Sequence, residues 1–302
     1  MSRFSGGQWR IWLRYGLWYP LTSRLPRRLA YRSATAKGMI DARFDTAFVA
    51  ESSRGLQAVF PDWSEAQRIA VAKSLKRQLA REVMDVFWLG RLNAGNISRF
   101  IRLEGLDTLL RLRTEGRPVI LYSGHFGRLI MPAMALGAQG ITTSCLLADV
   151  GASGLPEPEQ RFLRFKIRHM QRLMGGQMIS KADHFRRLYR ALAHGGVLIL
   201  IVDAPPAPAD SVDWVPFLGG EFLAASGILR LARRTGAALV PYFTVEEPEG
   251  LVGRFLPERD IGGVSDQEAL ARIFAPLEEY VSRYPDHWWL WNAVPSLWRS
   301  AG

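Results

Sequence analysis

A chain of 302 residues with 48% hydrophobic content is long enough for one large α/β domain or two small ones, and for a sizeable core. Its formal charge of +11 favours anionic partners: phospholipid headgroups, nucleic acid or phosphorylated substrates. The one cysteine, Cys145, excludes an internal disulfide and a zinc-type cysteine cluster, and reads as a small buried hydrophobe.

The N-terminal stretch Gln8 to Leu21 sets Trp9, Trp12, Trp18, Tyr15 and Tyr19 among arginines. It lacks the clean apolar centre and small-residue cleavage site of a signal peptide. No apolar run reaches the length of about 18 residues that a membrane span needs. Trp and Tyr favour the bilayer interface and arginines snorkel to headgroups, so residues 1–33 are expected to be an interfacial membrane anchor. The alternative is an amphipathic helix packed on the protein's own body. Residues 34–302 are expected to form one α/β domain.

Up to about residue 115 the chain reads as helical. Leu56 to Phe60 and Trp63 to Leu92 carry apolar residues at i, i+3 and i+4. Ser64 with Gln67 is a capping pair at the start of the second. Strand–helix alternation begins at Val119 to Ser123 and continues with a helix over Leu129 to Leu136. Next come a strand over Ile141 to Ala148, a basic amphipathic helix over Phe162 to Met174, a short strand at Gln177 to Ile179 and a helix over His184 to Leu192. Val197 to Val202 is the strongest strand, an unbroken β-branched and Leu run suited to a sheet covered on both faces, and it ends in Asp203. A helix over Ser226 to Arg234 ends at Gly236. Strands at Leu239 to Val245 and Leu251 to Leu256 and a helix over Asp266 to Arg283 follow. The tail is aromatic, with Trp288, Trp289, Trp291 and Trp298. The fold class is α/β: a mixed central sheet flanked by helices, with an N-terminal helical, membrane-associated segment.

The stretch Pro118 to Arg128 carries the chemistry. A buried strand ends in Gly124-His125-Phe126-Gly127, which presents a histidine at the carboxyl end of a sheet strand, where α/β enzymes bind ligands. The following helix would offer its N-terminal N–H groups to an anion. The bland alternative is a satisfied histidine in a structural turn. Among the remaining groups, His169, His184, His194 and His287 read as structural or exposed, and Asp149, Asp210 and Asp213 form no metal-ligand cluster.

Several segments together resemble the bacterial lipid A biosynthesis acyltransferases (lauroyl/myristoyl type), a branch of the lysophospholipid acyltransferase superfamily. Gly124-His125-Phe126-Gly127 matches their first motif. Val202-Asp203 resembles their strand-ending Asp, with Ala204 where Gln is usual. Val215-Pro216-Phe217-Leu218-Gly219, Gly227, Leu231 to Ala237 and Val240-Pro241 resemble their third region. Tyr284-Pro285-Asp286-His287-Trp288 with Trp291 is similar to their C-terminal Pro–Trp signature. The resemblance runs from about residue 8 to 299.

That resemblance implies transfer of a fatty acyl group from an acyl carrier protein or coenzyme A thioester to a hydroxyl or amine of a lipid or glycolipid, at the cytoplasmic face of the inner membrane. No cofactor, metal or nucleic acid is implied. His125 would be the base that takes the acceptor's proton. Family members carry a carboxylate five positions later to orient the imidazole, but here that position is Ile130, and Arg128-Leu129 replace the usual Asn-Trp. Three readings stay open: His125 acts alone or with a carboxylate from elsewhere, Asp203 first and Glu221 second; the site is re-tuned for another acceptor; or the protein is a degenerate scaffold that binds a lipid or acylated carrier. Gly124, Phe126, Gly127, Arg128, Arg172, Phe217, Gly219 and Glu221 are the expected substrate-binding residues. For Arg128, contact with a substrate phosphate or with carrier phosphopantetheine stands beside a plain solvated charge. An apolar groove is expected to lead away from His125.

Overall fold

In the computed structural model, residues 8–151, 154–181, 183–208 and 210–301 are described. The N-terminal half holds α1 (Gln8–Trp12), a π-helical turn (Leu13–Trp18), α2 (Tyr19–Thr22), α3 (Arg27–Phe44), α4 (Thr46–Val59) and α5 (Glu65–Trp88). Then come β1 (Arg102–Glu104), α6 (Asp107–Thr114), β2 (Val119–Ser123), α7 (Met131–Ala138), β3 (Thr143–Leu147), α8 (Glu157–Met174), β4 (Gly175–Ser180), α9 (Arg186–Leu192) and β5 (Val197–Ile201). The chain continues through β6 (Val212–Phe217), β7 (Gly220–Ala225), α10 (Gly227–Thr235), β8 (Ala238–Glu247), β9 (Gly250–Phe255), α11 (Asp266–Arg283), α12 (Val294–Leu297) and β10 (Trp298–Ser300).

Seven strands form a mixed sheet in the order β1-β9-β8-β2-β5-β3-β4, and only the β8–β9 pairing within it is antiparallel. The two runs with no polar interruption, β2 and β5, become its adjacent central strands. Strand periodicity divides their side chains between two cores. Ile120, Tyr122, Leu198 and Leu200 face one, with α11 and the aromatic tail; Val119, Leu121, Val197 and Ile199 face the other, with α6, α7 and α8. Both faces are thus covered by helices, as the apolar runs require.

A second sheet, unmarked by any clear strand pattern, is antiparallel and ordered β10-β7-β6. Its hairpin turns through Leu218 and Gly219, both at positive φ (53° and 71°). That is a two-residue turn without the usual Asn-Gly signal, and Leu at positive φ is uncommon. β1 is likewise unmarked. The helix expected from Leu129 begins at Met131, and Met131 to Leu136 are buried throughout. Its first turn therefore presents no exposed amide to an anion.

The N-terminal segment is both packed and exposed. Tyr19, Ala30, Ala34 and Met84 form a small core of their own, and Tyr15 stacks on Phe162 of α8 with ring centroids 4.2 Å apart. α3 runs unbroken through the expected boundary at residues 33 and 34. Residues 1–7 of the expected anchor lie outside the described residues. Cys145 is buried, and that burial pushes its thiol up to about 12.

α5 is the longest helix and carries Glu82 and Asp85 into the interior. Its start is the capping box foreseen from Ser64 and Gln67, with bonds of 2.8 and 3.3 Å in the two directions. Ser64→Ala is expected to cost about 1 kcal/mol of stability, the usual worth of an N-cap, read as a lower midpoint in urea denaturation at unchanged slope.

Candidate active site

β2 and β5 run parallel in the register Val119↔Val197 to Ser123↔Ile201, an offset of 78 residues. The same offset carried two residues beyond the strand ends sets His125 opposite Asp203. The side chains meet there: His125 Nδ1 lies 2.8 Å from Asp203 Oδ1. The His125 backbone N–H also donates to both carboxylate oxygens, at 2.9 Å each. Trp288 Nε1 donates to Oδ2 at 2.8 Å. Backbone and indole N–H groups can only donate, so both Asp203 oxygens act as acceptors. The Nδ1 contact is then a donation from the ring, and in the neutral imidazole the free lone pair lies on Nε2. Asp203 is wholly buried, whereas the His125 side chain keeps 27% of its exposure.

The flanking glycines are needed for this approach. A Cβ on Gly124 would lie 2.7 Å from Asp203 Oδ2 and 2.6 Å from Leu277. Gly127 has a positive φ of 59°, and its Cβ would fall 2.2 Å from the Thr244 carbonyl oxygen. The C-terminal tail clamps the turn between them. Trp289 N–H donates to the His125 carbonyl at 2.9 Å and Gly127 N–H to the His287 carbonyl at 2.8 Å. Trp289 Nε1 donates to the Gly127 carbonyl at 3.0 Å. Phe126 is fully buried, edge-on to Phe243 and Tyr280 and stacked on His287. It belongs to the core.

Arg128 is not a solvated charge. It is 4% exposed, and its Nε donates to Asp85 Oδ2 at 2.6 Å. Its Nη2 donates to Asp85 Oδ1 and to the Tyr31 hydroxyl. Burial opposes the guanidinium's charge, but Asp85, Tyr31 and Glu246 together raise its pKa above the ordinary arginine value. Its donors are thus engaged inside the protein, which corrects the picture of an arginine reaching for a phosphate. The same burial lifts the Tyr31 hydroxyl far above its usual range. Arg128 instead ties the turn after His125 to α5 and α3.

The other expected site residues lie apart. Glu221 on β7 pairs with Arg299 at 2.6 Å, so it is not the acid beside His125. Arg172 donates to the Gly90 carbonyl at 2.8 Å. Phe217 is buried with its ring 5.5 Å from that of Trp288, and so props the indole that reaches Asp203. Gly219 forms the β6–β7 turn. Three open clefts of about 1,090, 830 and 790 Å³ lie among α3–α5, along the N-terminal segment and beside the start of α3. His125 lines none of the three, so the groove expected beside it is not among them. Among the described residues, no group of three or more His, Cys, Asp or Glu could hold a metal ion. Trp288 as a partner of the acid is not legible in the residues, because the tail's tryptophans read only as core or interface.

Comparison with known proteins gives three findings. A family model of the bacterial lipid A biosynthesis acyltransferases matches residues 4–293. The lipid A biosynthesis lauroyltransferase of Escherichia coli (strain K12) is 27% identical over 248 residues, covering 80% of this chain and 76% of that one. The crystal structure of the 1-acyl-sn-glycerophosphate (LPA) acyltransferase of Thermotoga maritima aligns over 85% of this chain and 97% of that one, at 15% identity and a TM-score of 0.35.

Ile130, where the resemblance calls for an acid, is 5% exposed and packs in the apolar core with Met131 and Met134. Ile130→Glu is expected to destabilise the fold by about 3 kcal/mol, because a carboxyl group there has no described partner and must be desolvated. A lowered Tm together with no gain in acyl transfer is the expected result.

Proposed function

The chain belongs to the bacterial lipid A biosynthesis acyltransferases, and we propose that it moves a fatty acyl group from a carrier-protein or coenzyme A thioester to a hydroxyl or amine of a membrane lipid or glycolipid. Acyl transfer is the family's chemistry; donor, acceptor and residue roles are our reading. The observation that carries it is the His125–Asp203 contact. His125 Nε2 takes the proton of the acceptor as its oxygen or nitrogen attacks the thioester carbonyl. The tetrahedral intermediate collapses, the C–S bond breaks, and the imidazolium returns the proton to the leaving thiolate. Asp203 holds the ring in the competent tautomer and stabilises the cation. Trp288 and the His125 backbone N–H fix the carboxylate in turn.

The scaffold alternative was motivated by the missing acid at position 130. A buried carboxylate at 2.8 Å from Nδ1 removes that motive. Acyl-transfer assays with labelled thioesters and a lipid extract of the native host test the proposal. His125→Ala is expected to lose nearly all turnover, and Asp203→Asn about 10²–10⁴-fold, since the imidazole loses its orienting partner. Equal activity in wild type and His125→Ala would sink the proposal.

The reading places the enzyme peripherally on the cytoplasmic face of the inner membrane. No described helix is long and apolar enough to cross a membrane. Yet among the described residues ten of the fourteen exposed large hydrophobics lie between Trp9 and Phe44. They include Trp9, Trp12, Leu21, Met39 and Phe44, at 47–70% exposure. Trp9, Leu17, Trp18, Leu21, Ile40 and Phe44 border a largely apolar cleft of about 830 Å³. A patch of this kind, with arginines nearby, suits an interfacial helix face. The combined variant Trp9→Ser, Trp12→Ser, Phe44→Ser is expected to shift the protein from the membrane to the soluble fraction on sedimentation. These side chains are exposed, so the fold survives. Unchanged sedimentation would count against this face as the anchor.

A further inference from the structure

Beside the start of α3 lies a cleft of about 790 Å³, walled by the Ser98–Leu106 segment and the β8–β9 hairpin and lined by seven arginines. Three of these are neutralised within the fold. Arg81 pairs with Glu246, Arg102 with Glu104 and Glu247, and Arg128 with Asp85. The other four, Arg27, Arg28, Arg32 and Arg99, are exposed and pair with no described carboxylate. Of the two carboxylates that line the cleft, Glu246 is engaged by Arg81 and Arg128, and Glu249 is the one without an ion pair among the described residues. Four guanidinium groups that make no ion pair with a described carboxylate thus line one concavity, against a single unpaired carboxylate. Like charges that line one cleft repel, so the arrangement favours a bound anion.

The backbone adds to the same field. α3 is eighteen residues long, starts after Pro26 and has no acidic residue in its first turn. Leu29 and Ala30 N–H groups turn back to the Pro26 carbonyl at 2.8 and 3.0 Å. The N–H groups of Arg27 and Arg28 are left as donors at the positive end of the helix dipole. The Arg27 guanidinium lies 5.4 Å from the Phe100 ring centroid, which orders it at the cleft wall. Arginine forks and free helix N–H groups suit a phosphate, whose oxygens accept several such donors at once. The surroundings point to the source of that phosphate. Exposed Leu25 and Leu29 flank the two arginines, and α3 also carries the exposed Met39, Ile40 and Phe44. Phe100, Ile101, Leu103 and Leu106 line the cleft itself.

We propose that this cleft is a binding site for the phosphate group of a lipid headgroup, held by Arg28, Arg32, Arg99 and the start of α3 while the N-terminal apolar face sits in the bilayer. The phosphate assignment is independent of the acyl-transfer chemistry. It shares with the proposed function only the membrane that supplies the lipid.

The test is sedimentation of the full chain with phosphatidylcholine vesicles, with and without phosphatidate. The wild type is expected to prefer phosphatidate vesicles. The triple variant Arg28→Ala, Arg32→Ala, Arg99→Ala is expected to lose that preference by about tenfold or more while still binding phosphatidylcholine through the apolar face. A charge-matched variant, Arg113→Ala, Arg190→Ala, Arg234→Ala, removes three exposed arginines outside the cleft and is expected to keep the preference. Glu249→Gln is expected to strengthen it. Equal losses in the two triple variants would mean that only the diffuse positive field acts, and would overturn the site; so would a triple cleft variant with wild-type preference. Thermal unfolding with glycerol 3-phosphate separates the sources. No rise in Tm supports a lipid phosphate presented at the membrane. A rise that the cleft variant abolishes keeps the phosphate site but overturns its restriction to lipids. Loss of phosphatidate preference with unchanged acyl transfer to a soluble acceptor would separate this site from the catalytic one.

Discussion

The parallel register of β2 and β5 is the constraint on which the site depends. A one-residue slip would turn every side chain of a strand to the opposite face and take His125 away from Asp203. Such a slip is resisted along the whole pairing, because Ile120 and Tyr122 must face one core while Val119 and Leu121 face the other. The position of a polar pair beyond the strand ends is therefore set by apolar burial beneath it. The pair in turn satisfies a costly group. Asp203 has no exposure, and an isolated buried carboxylate would be strongly disfavoured. Donors from the His125 backbone, its ring and the Trp288 indole compensate it.

Two further ties hold the turn on either side of the histidine. The tail pairs with residues 125–127 through His287 and Trp289. Beyond them, Arg128 reaches Asp85 on α5 and Tyr31 on α3. A buried ion pair of this sort is weak evidence for net stability, since both charges must be desolvated. Its effect is positional. Removing either partner alone would leave an uncompensated charge in the interior, so the loop cannot drift from the helices without a large penalty. The bond also joins the histidine loop to α3, the helix whose other face carries Leu29, Met39 and Phe44. The exposed apolar face of α3 and the histidine turn are thus mechanically linked.

Much of this was legible in the residues. α11 matches the periodic run from Asp266 to Arg283, and α5 begins at the capping pair. These elements are written locally, in side-chain spacing and caps. The strand ends carrying His125 and Asp203 were legible too, because unbroken apolar runs stop there. Their adjacency was only a candidate, since nothing local says that β5 lies beside β2 rather than at an edge. Arg128 misled for a related reason. An arginine after a glycine turn reads as exposed, and its partner Asp85 is 43 residues away on another helix. The second sheet was hidden because Pro216 and Asp213 break the strand signal and Leu218 occupies a turn position that Gly or Asn usually marks.

The altered motif follows from the same packing logic. A carboxylate at position 130 would have to leave the start of α7 and reach the imidazole. Here the start of α7 is committed to the apolar core through Ile130, Met131 and Met134. The imidazole has one Nδ1, and Asp203 occupies it at 2.8 Å. An apolar residue at position 130 is therefore consistent with an intact acid–imidazole pair, because the ring needs only one orienting carboxylate and β5 supplies it.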